Sequence, residues 1–208
     1  MGDAGRFGML ISGRGSNMLA LIRAARDGRI PALPAVVIAN VAAAGGLAAA
    51  EAHGVPTAVV DHTLSGSRQE HDRKVLDILA EHKVDLVCLA GYMRLLSPEF
   101  VAAYPERILN IHPSLLPSFP GLHAQRQALE FGVKVSGCTV HFVDEKLDHG
   151  PIVAQAALNL EEGEDEEHLS ARILELEHRL YPDAVRSFFL GRLTVDQGRV
   201  TMAEAAGG

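Results

Sequence analysis

Short runs of valine, isoleucine, leucine and alanine alternate with amphipathic segments through the first hundred residues, and this alternation leaves few folds open. Phe7 to Ile11 is almost entirely apolar; a glycine turn follows, and Met18, Leu19, Leu21 and Ile22 then form one helical stripe before Asp27-Gly28 stops the helix. The unit recurs as Ala35 to Ala39, the alanine-rich Ala42 to Ala52 and Thr57 to Val60. It recurs again as a helix from Arg68 to His82 feeding a strand from Leu86 to Ala90. Strands that are apolar on both faces are expected where helices cover both sides of a sheet. The first half is therefore predicted to be α/β, with a Rossmann-like, doubly wound, mostly parallel sheet.

Beyond Phe100 the pattern changes. Ile108 to His112 is predicted to be a strand, Gly121 to Phe131 a helix, and Val135 to Val143 with Ile152 to Leu158 a β pair, giving the sheet a mixed C-terminal part. A long helix over Glu166 to Leu190 follows from Leu169, Ile173, Leu176 and Leu180 at three- or four-residue spacing. A chain of 208 residues suits one core. The expected division is a single domain over residues 1–190 and a C-terminal extension over 191–208, frayed from Ala203 onward.

With 48% hydrophobic and 22% charged residues, the chain has an ordinary globular composition. No apolar run reaches 18 residues, and Met1-Gly-Asp-Ala-Gly-Arg lacks the apolar stretch of a signal peptide, so a cytoplasmic protein with no membrane partner is expected. A net charge of −7 argues against binding nucleic acid as a polyanion, but not against one small phosphorylated ligand held by backbone N–H groups. Cys88 and Cys138 sit in apolar strand-like runs and are expected to be buried free thiols. No cysteine, histidine and carboxylate cluster has metal-ligand spacing, so no metal is expected. His53, His62, His71 and His82 share no spacing and are expected at the surface or at caps. The acidic run from Glu161 to Glu167 is expected to be the solvated entry to the long helix.

Three segments could carry chemistry. Ser12-Gly13-Arg14-Gly15-Ser16-Asn17 lies where a strand hands over to a helix, a place that favours an anion. It is not the dinucleotide fingerprint, because Met18 stands where a third glycine belongs and Asn40, not an acid, ends the second strand. A tight turn capped by Ser16 or Asn17 is the alternative. Asn110 and His112 are two apart on a strand that Pro113 ends, so both side chains share a face, where together they could stabilise an oxyanion or simply be structural. Asp148, in Leu147-Asp148-His149-Gly150-Pro151, is ordinary turn chemistry unless it reaches His112; a carboxylate there favours the charged ring as oxyanion partner or proton donor.

Asn110-Ile111-His112-Pro113-Ser114-Leu115-Leu116-Pro117, followed by Pro120-Gly121-Leu122-His123, resembles the folate-dependent formyltransferases, and the resemblance runs from about Leu10 to Gly191. Ile11 to Asn17 looks like the phosphate loop of the members that formylate glycinamide ribonucleotide. Ala90-Gly91-Tyr92-Met93-Arg94-Leu95-Leu96-Ser97 looks like their folate-pocket segment. Members acting on methionyl-tRNA, or hydrolysing the formyl folate, are expected to need a further domain for which this length leaves no room. The resemblance implies the formyltransferase fold, with 10-formyltetrahydrofolate as co-substrate, glycinamide ribonucleotide as acceptor, and no metal; it leaves a homodimer open.

Carried over on these motifs, Asn110, His112 and Asp148 are the implied catalytic residues. Gly15, Ser16 and Asn17 are implied to hold the ribonucleotide phosphate, and Glu177 its glycinamide ribose portion. Arg68, Met93, Arg94, Leu95, Leu96, Asn110 and the run Asp144, Glu145, Lys146, Leu147, Asp148 are implied to line the folate side. His149 departs from the family, which more often has a second glycine there. A hydrolase using the same residues on water, and a non-catalytic nucleotide-binding module using the glycine loop alone, remain as alternatives.

Overall fold

In β1 (Gly5–Ile11) successive side chains point to opposite sides of the sheet, and both sides are buried. Phe7, Met9 and Ile11 enter one apolar cluster, and Leu10 enters the other. The computed structural model describes residues 4–203. In chain order, β1 is followed by α1 (Ser16–Arg26), β2 (Ala32–Ala39), α2 (Gly46–Ala52), β3 (Thr57–Val59), a 3-10 turn (His62–Leu64), α3 (Arg68–Glu81) and β4 (Leu86–Leu89). Then come α4 (Pro98–Ala103), β5 (Ile108–His112), α5 (Ala124–Phe131), β6 (Val135–Phe142), β7 (Ile152–Asn159), α6 (Glu166–Phe189), β8 (Leu193–Asp196) and β9 (Arg199–Met202).

Seven strands form one sheet in the order β3-β2-β1-β4-β5-β6-β7. The first five are parallel, while β6 pairs antiparallel with both β5 and β7. The predicted mixed α/β sheet is the observed one. One face is covered by α1 and α6, through Met18, Leu21, Ile22, Leu169, Ile173 and Val185. The other is covered by α3 and α4, through Val75, Leu79 and Phe100. Tyr181 fixes α6 to the sheet centre: its hydroxyl lies 3.0 Å from the Leu89 carbonyl and 2.9 Å from that of Leu109. Cys88 and Cys138 are buried and unpaired.

Several boundaries differ from expectation, each for a local reason. Helix α2 starts at Gly46 because residues before it turn close to the glycine loop, with the Gly46 N–H on the Gly13 carbonyl at 3.0 Å. Helix α5 starts at Ala124, not Gly121, since Gly121 and His123 have φ of 82° and 59°. Helix α4 was not anticipated, although Ser97 caps it through the Phe100 N–H and Pro98 opens it. His71 is not at the surface: it lies fully buried, 3.0 Å from the Val60 carbonyl and 3.3 Å from Asp72. In the C-terminal extension, β8 and β9 form a separate antiparallel pair whose Leu193, Val195 and Val200 pack on the main core. Ala203 is tied to Arg192 by a 2.9 Å backbone hydrogen bond, and the rest of the expected frayed tail lies outside the described residues.

Candidate active site

The sheet order reverses between β1 and β4, and ligands of open α/β sheets bind beyond the carboxyl ends of strands at such a point. Asn110 and His112 project from the end of β5 here. Leu109 and Ile111, the alternate residues, go to the α1 and α6 side. Antiparallel pairing with β6 sets His141 opposite Asn110 and Thr139 opposite His112.

The loop after β6 then returns with Asp148. Gly150 makes that return tight, since a β-carbon there would overlap the Phe142 carbonyl. Asp148 takes φ 47°, which aspartate tolerates better than most residues, and one carboxylate oxygen accepts the Gly121 N–H at 2.8 Å. The same oxygen lies 3.4 Å from His112 Nδ1, and the other lies 3.8 Å from His141 Nε2. Thus Asp148 does reach His112. On its far side the ring is 2.9 Å from the Phe119 carbonyl, an acceptor, so Nε2 carries a hydrogen.

His141 belongs to the same cluster and was not singled out as a site residue. Its Nδ1 donates to the Phe142 carbonyl at 2.8 Å, which leaves Nε2 to accept from the Asn110 amide at 3.1 Å. The ring is therefore neutral, in keeping with a pKa lowered chiefly by burial against opposing pulls from Phe142 and Asp148. One of the two Asn110 amide hydrogens is used in this way, and the other is free for a ligand. Thr139 and His141 are two apart on β6 and share a face, and the β5–β6 register decides that it is His141 that meets Asn110.

A cleft opens beside the cluster, walled by Leu89, Tyr92, Arg94, Leu95, Leu96, Asn110, His141, Val143 and residues 144–148. Most of the residues expected on the folate side thus share one wall. Arg68, exposed in the first turn of α3, and Met93, 67% exposed, lie outside that wall, and His112 sits behind it at 5% exposure. The Tyr92 hydroxyl and Arg94 Nε are buried and have no hydrogen-bond partner among the described residues. Burial pushes the Tyr92 phenol up. At the rim, His149 is 2.7 Å from Asp144 and bridges the loop that carries Asp148. Burial opposes ionisation of Asp144, but the bonds from His149 and Lys146 hold its carboxyl below the usual range.

On the other side of β1, Gly15 has φ 71° and serves as N-cap of α1, with no side chain capping the helix. Neither Ser16 nor Asn17 is the cap. Where α6 has three acids at its start, namely Asp165, Glu166 and Glu167, the first turn of α1 has none of its own, and its positive end suits an anion. The Asn17 amide donates instead to Glu177 on α6 at 2.7 Å, joining two expected ribonucleotide residues that are 160 positions apart. Glu177 is 6% exposed, and burial pushes its carboxyl up to about 7 despite the bond from Asn17. Among the described residues no three His, Cys, Asp or Glu side chains gather into a metal-binding group, and no helix is long and apolar enough to cross a membrane.

Residues 5–185 match the Formyl transferase family. The chain belongs to that family. The chain superposes on the crystal structure of glycinamide ribonucleotide transformylase 1 from Symbiobacterium toebii with a TM-score of 0.96 and 51% identity, covering 98% of this chain and 96% of that one. It is 42% identical over 189 residues to the phosphoribosylglycinamide formyltransferase of Escherichia coli, covering 91% of this chain and 89% of that protein. It is also 47% identical over 189 residues to the trifunctional purine biosynthetic protein adenosine-3 of Gallus gallus. That match takes in 91% of this chain but 19% of the trifunctional protein, so the chain spans about a fifth of the length of that relative.

Proposed function

We propose that this chain is a cytoplasmic enzyme that transfers a formyl group from 10-formyltetrahydrofolate to the amine of glycinamide ribonucleotide, giving formylglycinamide ribonucleotide and tetrahydrofolate for purine biosynthesis. The observation that carries the reading is the joining of Asn110, His112 and Asp148 into one cluster at the cleft wall, with His112 Nδ1 3.4 Å from Asp148. The acceptor comes from the names of the relatives that match nearly the whole chain.

In this reading the neutral amine attacks the formyl carbon, and the carbonyl electron pair moves onto oxygen. The free hydrogen of the Asn110 amide donates to that oxyanion. His112 Nε2 is held by the Phe119 carbonyl and Nδ1 stands 3.4 Å from the Asp148 carboxylate, and in this reading the ring acts as the cation that stabilises the developing anion. His112 reaches the oxygen directly on exchanging the Phe119 carbonyl for it. Collapse breaks the bond to folate N10, which takes up the proton lost by the amine, passed through a water that Asp148 orients. His141 keeps the Asn110 amide turned the right way. Gly15, Ser16, Asn17 and Glu177 hold the ribonucleotide. Residues 94–96 and 144–148 line the folate side together with Met93 and Arg68, which stand beyond the cleft wall.

Purified protein supplied with 10-formyltetrahydrofolate should release tetrahydrofolate only when glycinamide ribonucleotide is present. Formylation of methionyl-tRNA with none of the ribonucleotide, or release of formate at full rate without an acceptor, rejects the assignment.

Gly15→Val should weaken ribonucleotide binding by roughly tenfold or more, about 1.4 kcal/mol. At φ 71° a β-branched side chain is strained, and even its β-carbon would stand 3.3 Å from the Gly46 backbone and 3.1 Å from Met18. Calorimetric titration of the folded variant with each substrate checks this. Unchanged ribonucleotide affinity removes the phosphate role of the loop, and an equal loss of folate affinity makes the effect a general one.

A further inference from the structure

Ser12 follows β1 directly, with the end of β2 on one side and the end of β4 on the other. Its backbone N–H donates to the Gly91 carbonyl at 3.0 Å. Its hydroxyl donates to Asn40 Oδ1 at 2.6 Å and, with its hydrogen committed there, accepts the Met93 N–H at 2.8 Å. Residue 12 thus brackets the segment 91–93 from both directions, which holds it more firmly than either bond alone.

Asn40 is itself fixed. It is 4% exposed, and its backbone carbonyl accepts from His62 Nδ1 at 2.8 Å and from the His62 N–H at 3.3 Å. The 3.4 Å approach of Asn40 Nδ2 to His62 Nδ1 is then a meeting of two donors, not a bond. Asn40 occupies the end of the second strand, where dinucleotide-binding folds place an acid for a ribose. Here the amide oxygen holds Ser12 instead, and an ionised acid at so buried a position would carry a desolvation cost that the amide avoids.

We propose that Ser12 is a positioning residue, held by Asn40, that fixes the segment Gly91 to Arg94 on the folate side against the glycine loop that precedes α1. This rests on the reading of those two segments as the folate and ribonucleotide sides. The glycine loop has a separate anchor, the Gly46 N–H on the Gly13 carbonyl, so losing the Ser12 hydroxyl should disturb mainly the folate side.

Ser12→Ala removes the side-chain half of the bracket, and Ser12→Thr keeps the hydroxyl. In Ser12→Ala the Met93 amide should exchange with solvent roughly tenfold faster and the KM for 10-formyltetrahydrofolate should rise roughly tenfold, while the KM for the ribonucleotide changes less than about threefold. Ser12→Thr should restore both toward parental values. Unchanged Met93 exchange in Ser12→Ala, or faster exchange with unchanged folate KM, overturns the proposal. If the parent protein transfers no formyl group, the functional reading fails separately. Met93 exchange together with equilibrium dialysis of tetrahydrofolate then decides the role of Ser12.

Discussion

Asp148→Asn should lower turnover by roughly 10² or more, the usual scale for lost acid-base or oxyanion assistance, with the KM values for both substrates altered far less. The substitution is nearly isosteric. Asparagine accepts φ 47° as readily as aspartate, and its amide oxygen can still take the Gly121 N–H, so the loop should keep its course. What disappears is the negative charge 3.4 Å from His112 Nδ1. The new amide hydrogens would also face His141 Nε2, now 3.8 Å from the carboxylate, and compete for the lone pair that orients Asn110. Both effects fall on groups that act once charge develops on the formyl oxygen, so kcat carries the loss. Steady-state kinetics with each substrate varied, alongside a thermal melt to confirm the fold, checks this. Near-parental kcat in a folded variant would reduce Asp148 to a loop residue and remove the charged His112 from the mechanism.

What could be read from the sequence was set by local patterns. The span Ile108–His112 was legible because an apolar run meets Pro113, and the shared face of Asn110 and His112 follows from a period of two. The approach of Asp148 was not legible, because it depends on the β5–β6 register and on the close return at Gly150. The Asn17–Glu177 bond joins α1 to α6 across the whole chain, and only packing of the two helices on one sheet face creates it. His71 was misread although its signal was present: His71, Val75 and Leu79 recur every four residues on the buried stripe of α3, hidden among charged neighbours. The β8–β9 hairpin was also written in the sequence. Val195 and Val200 flank Gln197-Gly198, both of positive φ, in the manner of a tight hairpin turn. Six-residue α4 is too short for periodicity, and only its Ser97-Pro98 start marks it.

Glu177→Gln should make the protein more stable in base and a poorer binder of the ribonucleotide. The Glu177 carboxyl is 6% exposed, and burial pushes it up to about 7 from an ordinary 4.5, with the Asn17 amide pulling the other way. The folded state therefore holds this proton over a range where the unfolded chain has released it. Stability is undiminished below about pH 4.5 and falls as pH rises through about 7. At about 1.4 kcal/mol per unit, a shift of roughly two and a half units corresponds to a loss on the order of 3 kcal/mol above pH 8. A glutamine in the same place carries no charge at any pH and still offers an oxygen to Asn17, now 2.7 Å from the carboxylate. Urea unfolding at pH 5 and pH 8.5 should show parent and variant nearly equal at the lower pH and the variant ahead at the higher. The ribonucleotide KM at pH 8.5 should rise roughly tenfold, because a neutral amide accepts more weakly from ligand hydroxyls than a carboxylate does. If the variant keeps the parent's pH slope, the slope arises elsewhere. A stability gain with unchanged ribonucleotide KM would make Glu177 a buried residue with no part in binding, since a group kept ionised at a cost to the fold should have a partner that needs the charge.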